Sequence, residues 1–216
     1  MTPRRARLAL AAATLTPLAA APAAPAATVS TPEACYSSRE PVDYVGTEFR
    51  PRAPYRVYVA GRRVATGRVS AFGDLSGDFR APVPARGRPG ERRWTLTVTD
   101  GVRRASTRFR STIFGADYRP DRGDPATLRG RFYAFDFGRG RTVYLHYVRP
   151  NRRLRLTIRL GRTGGPCGTV STPVRRIFPF RAGPGNWRLQ FDTRRRYDPT
   201  PPRPYVRLIV PILRNR

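Results

Sequence analysis

The stretch FGRGRTVYLHYVRPNRRLRLTIRLG, Phe137 to Gly161, carries the clearest structural pattern in the chain. Val143, Leu145 and Tyr147 alternate with Tyr144 and His146; beyond Pro150-Asn151, Leu154, Leu156, Ile158 and Leu160 alternate mostly with arginine. An apolar period of two on both sides of a Pro-Asn turn predicts a strand, a tight turn and a return strand, with one face buried. The pattern recurs upstream. In FRPRAPYRVYVAGRRV, from Phe49, Tyr55, Val57 and Val59 take the places of Val143, Leu145 and Tyr147, and Arg62-Arg63-Val64 those of Arg152-Arg153-Leu154. Further on, WTLTVTD from Trp94 matches WRLQFDT from Trp187. The chain reads as two copies of one unit, and repeats of this kind set the architecture.

Valine, tyrosine, phenylalanine and threonine dominate these segments, turn residues interrupt them every ~8 to 12 residues, and no helical stripe follows the first residues. A unit of roughly 80 to 100 residues with about seven short strands and one central tryptophan predicts an immunoglobulin-like antiparallel β-sandwich. The expected organisation is all-β: one sandwich over 33–112, a linker over 113–127 rich in Pro, Gly and Asp, and a second sandwich over 128–214.

The chain opens MTPRRARLALAAATLTPLAAAPAAPAA. Arg4, Arg5 and Arg7 precede an alanine-rich apolar run that ends in small residues, the plan of a cleaved signal peptide over 1–27. A membrane anchor is disfavoured because Pro17, Pro22 and Pro25 interrupt a run far short of about 20 residues. Arg4-Arg5 hints at twin-arginine export, but Arg7 falls where that signal wants apolar residues. No second apolar span follows, and Cys35 is preceded by PEA rather than a lipoprotein motif. The expectation is an exported, extracellular protein with no integral membrane segment, and the cell wall is a candidate place of association.

In EFRPRAPYRVYVAGRRVATGRVSAFGDLSGDFRAPVP, the positions of Phe49, Pro51, Val57, Val59, Gly61, Gly73, Phe79 and Pro82 resemble those of the bacterial immunoglobulin-like repeats of secreted Gram-positive proteins. The second copy, with VYLHYVRPN, GGPCG, FPF and NWRLQFDTRRRY, looks like the C-terminal half of uncharacterised exported actinobacterial proteins. The resemblance covers most of the chain beyond the leader. It implies fold and location, and no activity.

Two cysteines in an exported chain, Cys35 and Cys167, most simply form one disulfide; two free thiols are the alternative. A bridge closing so long a loop is worth roughly 4 to 5 kcal/mol in the loop-entropy account.

All 42 basic residues are arginine, against 14 acids, a net charge of +28. Arg4, Arg5 and Arg7 leave with the leader, so the remainder carries +25. A GC-rich genome accounts for arginine replacing lysine but not for the excess of bases over acids. Such a field attracts polyanions at low salt. It is uneven: 16 arginines face 8 acids before Thr112, and 23 face 6 after it.

Arg152, Arg153, Arg155 and Arg159 share the second hairpin, with Arg175, Arg176 and the run Arg194, Arg195 and Arg196 expected near neighbouring strands or loops. Guanidinium forks match phosphate and carboxylate, and Tyr144 and His146, expected on the same face, are placed to stack. The functional expectation is a polyanion-binding sheet face for teichoic acid, acidic polysaccharide, anionic lipid headgroups or extracellular nucleic acid, without specific nucleic-acid recognition. The bland account is an arginine coat that keeps the sandwich soluble and blunts its edge strands. A protein partner recognised through a sheet edge or loop tips is the alternative from another class.

No enzyme is expected, and neither cofactor nor metal. His146 is read as solvent-facing, with no second histidine, nearby cysteine or fixed carboxylate, so it lacks both zinc ligands and the orienter of a triad. DFG at Asp136 to Gly138 lacks the partner elements of a kinase, and RGD at Arg122 to Asp124 is a tripeptide that arises by chance in so arginine-rich a chain. Asp117, Asp121 and Asp124 have the oxygens for calcium, but Arg119 and Arg122 interleave with them, which favours salt bridges. H-E-x-x-H, C-x-x-C, G-x-S-x-G and P-loop motifs are absent.

Overall fold

The computed structural model describes residues 26–84 and 89–213; the expected signal peptide lies almost wholly outside them. Every element is a strand, and no helix long and apolar enough to cross a membrane occurs among the described residues.

The first copy contributes β1 (Thr28–Ser30), β2 (Cys35–Ser37), β3 (Pro41–Thr47), β4 (Pro54–Val59), β5 (Arg62–Arg68), β6 (Leu75–Arg80), β7 (Gly90–Thr99) and β8 (Arg104–Ile113). They form a three-stranded sheet, β1-β3-β6, and a five-stranded one, β2-β8-β7-β4-β5, antiparallel except where β2 runs alongside β8. The second copy contributes β9 (Gly115–Arg119), β10 (Arg129–Phe135), β11 (Thr142–Val148), β12 (Leu154–Arg162), β13 (Val170–Ser171), β14 (Arg175–Arg176), β15 (Gly185–Asp192) and β16 (Tyr205–Ile212). Here β10 gathers β9, β13 and β14, and the facing sheet runs β12-β11-β15-β16. The fold is that of immunoglobulin-like β-sandwiches.

The repeat read from the sequence holds at the level of strand register. Val57 pairs with Val98 and Val59 with Leu96; in the second copy Leu145 pairs with Phe191 and Tyr147 with Leu189. The same positions therefore oppose each other in both copies, as the alignment of Trp94 with Trp187 requires. Alternation then fixes two cores. One is built on Val42, Tyr44, Phe49, Val57, Leu96 and Phe109, the other on Phe132, Leu145, Tyr147, Ile177, Leu189 and Phe191.

The stretch 113–127, expected as a linker, is not wholly one. A single residue, Phe114, separates β8 from β9, and β9 pairs with β10 from Gly115 opposite Phe135 to Arg119 opposite Arg131. Tyr118 packs edge-on against Phe132, so the apolar part of the stretch joins the second core, and its Asp, Pro and Gly residues form the β9–β10 connection. The copies are joined by Cys35–Cys167, a disulfide 132 residues apart in sequence. Around it, Ser37 Oγ donates to Asp136 Oδ2 at 2.9 Å, and Phe114 lies 5.1 Å from Phe137 between ring centres. Gly168, beside Cys167, has φ of +59°, and a Cβ there would fall 2.6 Å from the Gly138 carbonyl. Only glycine allows the chain to pass so close.

Candidate functional site

On the outer face of the β12-β11-β15-β16 sheet, strand pairing sets two rows of side chains. Thr157, His146, Gln190 and Arg207 form one row; Arg159, Tyr144, Asp192 and Tyr205 form the next. A bulge between Val143 and Tyr144 makes the register. It falls at Leu160, which stays buried, while alternation from Thr157 brings Arg159 opposite Tyr144 on the outside.

The connection between β15 and β16, residues 193–204, folds over this face. Its counterpart in the first copy is only the turn 100–103, where Asp100 accepts from the backbone N–H groups of Val102 and Arg103. The longer connection changes the environment of His146, which was expected on the solvent side and is fully buried, at 0 % exposure. Tyr197 covers the ring at 5.6 Å, and the ring Nε2 lies 3.1 Å from the Arg194 carbonyl.

The expectation that His146 lacks a fixed carboxylate is corrected as well. Nε2 lies 3.2 Å from Asp192 Oδ1, and Asp192 is itself only 1 % exposed. Both groups facing Nε2 are acceptors, so in the neutral ring Nε2 carries the proton and Nδ1 accepts from the Thr157 hydroxyl at 2.8 Å. Asp192 also accepts from Gln190 Nε2 and from the Arg194 N–H, each at 2.8 Å, and Arg207 Nε donates to Gln190 Oε1 at 2.8 Å. Burial on its own raises a carboxyl pKa. Here the hydrogen bonds from His146, Gln190 and the Arg194 N–H outweigh it, and Asp192 falls below its ordinary value.

The network anchors the connection and brings Arg195 to the edge of the sheet. A cleft of about 580 Å³ opens there, lined by Tyr144, Thr157, Arg159 and Arg195. No acid lines it. Among the described residues neither Arg159 nor Arg195 is ion-paired, whereas Arg194 is held by Asp198 at 3.5 Å. The two free forks present donors to an incoming phosphate or carboxylate, with the Tyr144 ring beside them.

Several of the arginines expected on this face are elsewhere. Arg152 and Arg153 are exposed in the β11–β12 turn, where Arg152 has φ of +63°. A second bulge, between Tyr147 and Val148, turns Arg155 away from the cleft, and its guanidinium lies 5.5 Å above Phe180. Arg175 and Arg176 form β14 and pair with β10 in the opposite sheet. Arg196 is exposed on the 193–204 connection. Of the candidates, only Tyr144, Arg159 and Arg195 share the cleft, and His146 supports it from beneath. Thr157, Gln190, Asp192 and Arg207 were not singled out in the sequence. Period two does place Thr157 with Arg159 and Asp192 with Gln190, but only the strand pairing brings those rows together.

Of the three aspartates, Asp117 pairs with Arg119 at 3.6 Å.

No protein-family model matches the chain, and no curated protein is similar to it in sequence. Among solved structures it is similar to a tetra-tandem repeat from the extending region of a large adhesion protein, at 14 % identity and a TM-score of 0.30, over 87 % of this chain and 49 % of that one. It thus spans about half the length of that array. It is also similar to the human OSCAR ligand-binding domain, at 11 % identity and a TM-score of 0.30, over 87 % of this chain and 98 % of that one.

Proposed function

We propose that the chain is an exported, non-enzymatic binding module for anionic polymers and that the cleft of Tyr144, Arg159 and Arg195 is its contact. One observation carries this reading: the buried His146–Asp192 network holds the 193–204 connection so that Arg195 joins Arg159 at a cleft without acids. Phosphate or carboxylate groups of an envelope or extracellular polymer exchange their counterions for these guanidiniums, a mechanism indifferent to polymer sequence and steeply dependent on salt. The disulfide and the expected leader support an extracellular place of action.

The test is retention of the protein on anionic cell-wall sacculi and on a polyphosphate column across a salt series. Arg159→Ser and Arg195→Ser should each weaken retention and lower the slope of log affinity against log salt by about one. Arg175→Ser, on the opposite sheet, should keep the affinity at the cleft. Retention unchanged between about 50 and 500 mM salt contradicts the proposal.

A second reading rests on the order Thr157–His146–Asp192, which matches nucleophile, base and orienting carboxylate. It predicts that an activated ester acylates Thr157. Under the binding reading no such adduct forms, and His146→Ala changes stability rather than any turnover.

A further inference from the structure

The two copies treat their central tryptophan differently. In the second copy Trp187 is only 4 % exposed because Phe178 and Phe180 lie against it, at 5.5 and 5.2 Å between ring centres. The same two rings pack on Tyr147, at 5.6 and 5.3 Å, and the Tyr147 hydroxyl donates to the Ile177 carbonyl at 2.8 Å. The Phe178-Pro179-Phe180 segment is a plug for the mouth between the sheets.

In the first copy Val59 stands where Tyr147 stands and Trp94 where Trp187 stands, but among the described residues no aromatic ring packs on the indole. The stretch joining β6 to β7, APVPARGRP over 81–89, contains no aromatic residue. A groove of about 870 Å³ occupies the place instead, its apolar floor made by Trp94, Val59, Val64 and Val83. Val64 and Val83 are left 39 % and 40 % exposed, an apolar surface that a sandwich would normally cover. The indole is already fixed, since Trp94 Nε1 donates to Ser111 Oγ at 2.7 Å.

Arg39, Arg62, Arg80 and Arg92 rim this floor, and no carboxylate lines it. None of the four is ion-paired among the described residues. Arg92 lies 4.6 Å above the Trp94 ring, as Arg155 lies above Phe180 in the plugged copy.

We propose that this groove is a docking site for an extended segment of a partner protein, with an aromatic-proline-aromatic core flanked by acidic residues. The chain's own Phe178-Pro179-Phe180 shows the shape that this position of the fold accepts, and the four guanidiniums, none ion-paired among the described residues, select the flanking acids. The inference is separate from the polyanion cleft and does not depend on it.

The test uses the full secreted chain carrying Trp187→Phe, so that Trp94 is the sole tryptophan, and a fluorescein-labelled peptide, EEFPFDE. Saturable binding that changes Trp94 emission is expected. It should weaken at least tenfold with Arg62→Glu plus Arg92→Glu, two exposed positions, with the folded state of the variant checked by its melting curve. It should weaken as much when both peptide phenylalanines become serine, and be unaffected by Arg159→Ser plus Arg195→Ser. Trp187→Phe replaces a buried ring, so the anisotropy titration is repeated on the unmodified chain. Four results overturn the proposal: equal binding of the ring-free peptide, loss only in the Arg159 and Arg195 variant, tighter binding of adenosine 5′-diphosphate than of the peptide, or no binding.

Discussion

His146 Nε2 stands 3.2 Å from Asp192 Oδ1, and neither side chain reaches solvent. The pair joins β11 to β15 beneath a connection that has no counterpart of its length in the first copy. Its members are bonded on every side, and no buried polar side-chain atom among the described residues lacks a partner.

Removing one member should therefore cost more than an exposed ion pair would. His146→Ala leaves Asp192 buried with one bond fewer and Tyr197 without its ring contact; the expected loss is about 3 kcal/mol in denaturant unfolding. Proteolysis within 193–204 should accelerate in the same variant, because the connection loses its anchor at the Arg194 carbonyl.

Acid should act through Asp192. Its folded pKa lies below the unfolded value of about 3.9, so its stabilising contribution is present above that pH and is lost as pH falls through the folded value. Asp100 is likewise lowered: burial raises it, but the N–H groups of Arg50, Arg103 and Val102 outweigh that. Unfolding midpoints between pH 5 and 2 should fall steeply in the wild type and less so in Asp192→Asn. The two proteins should converge at the acid end.

Cys35→Ser plus Cys167→Ser should lower stability by about 5 kcal/mol in the loop-entropy account, since the closed ring spans 132 residues. Chemical unfolding with and without a reductant measures it, and the reduced wild type should match the double variant.

Phe180→Ala should uncover Trp187 and Tyr147. A loss of about 2 to 4 kcal/mol is expected, together with a red shift of tryptophan emission. The same shift should be absent from Phe72→Ala, because Phe72 is 90 % exposed and touches no tryptophan.

The architecture was legible because period two and a repeat are local signals. Val57 and Leu145 could be placed on the inner face, and Trp94 matched to Trp187, without knowing any pairing. The environment of His146 was not legible. Alternation puts it opposite Leu145 and Tyr147, hence outward, and that much is right; what buries it is a connection that begins 47 residues later and returns across the sheet. The arginines divided for a related reason. Arg155 and Arg159 share parity in the sequence, but the bulge between Tyr147 and Val148 falls at Arg155 and sends it to Phe180, while regular alternation from Thr157 carries Arg159 to the cleft. Bulges leave no compositional mark here.

The Cys35–Cys167 bond has a mechanical consequence. Tension applied to the chain from outside the ring runs covalently through the sulfurs, so the chain from β3 to β12 cannot be drawn out however hard the ends are pulled. At about 3.4 Å per extended residue, the bond withholds roughly 450 Å of contour length. Only β1 and β13 to β16 lie outside the ring and can be drawn out while the bond holds.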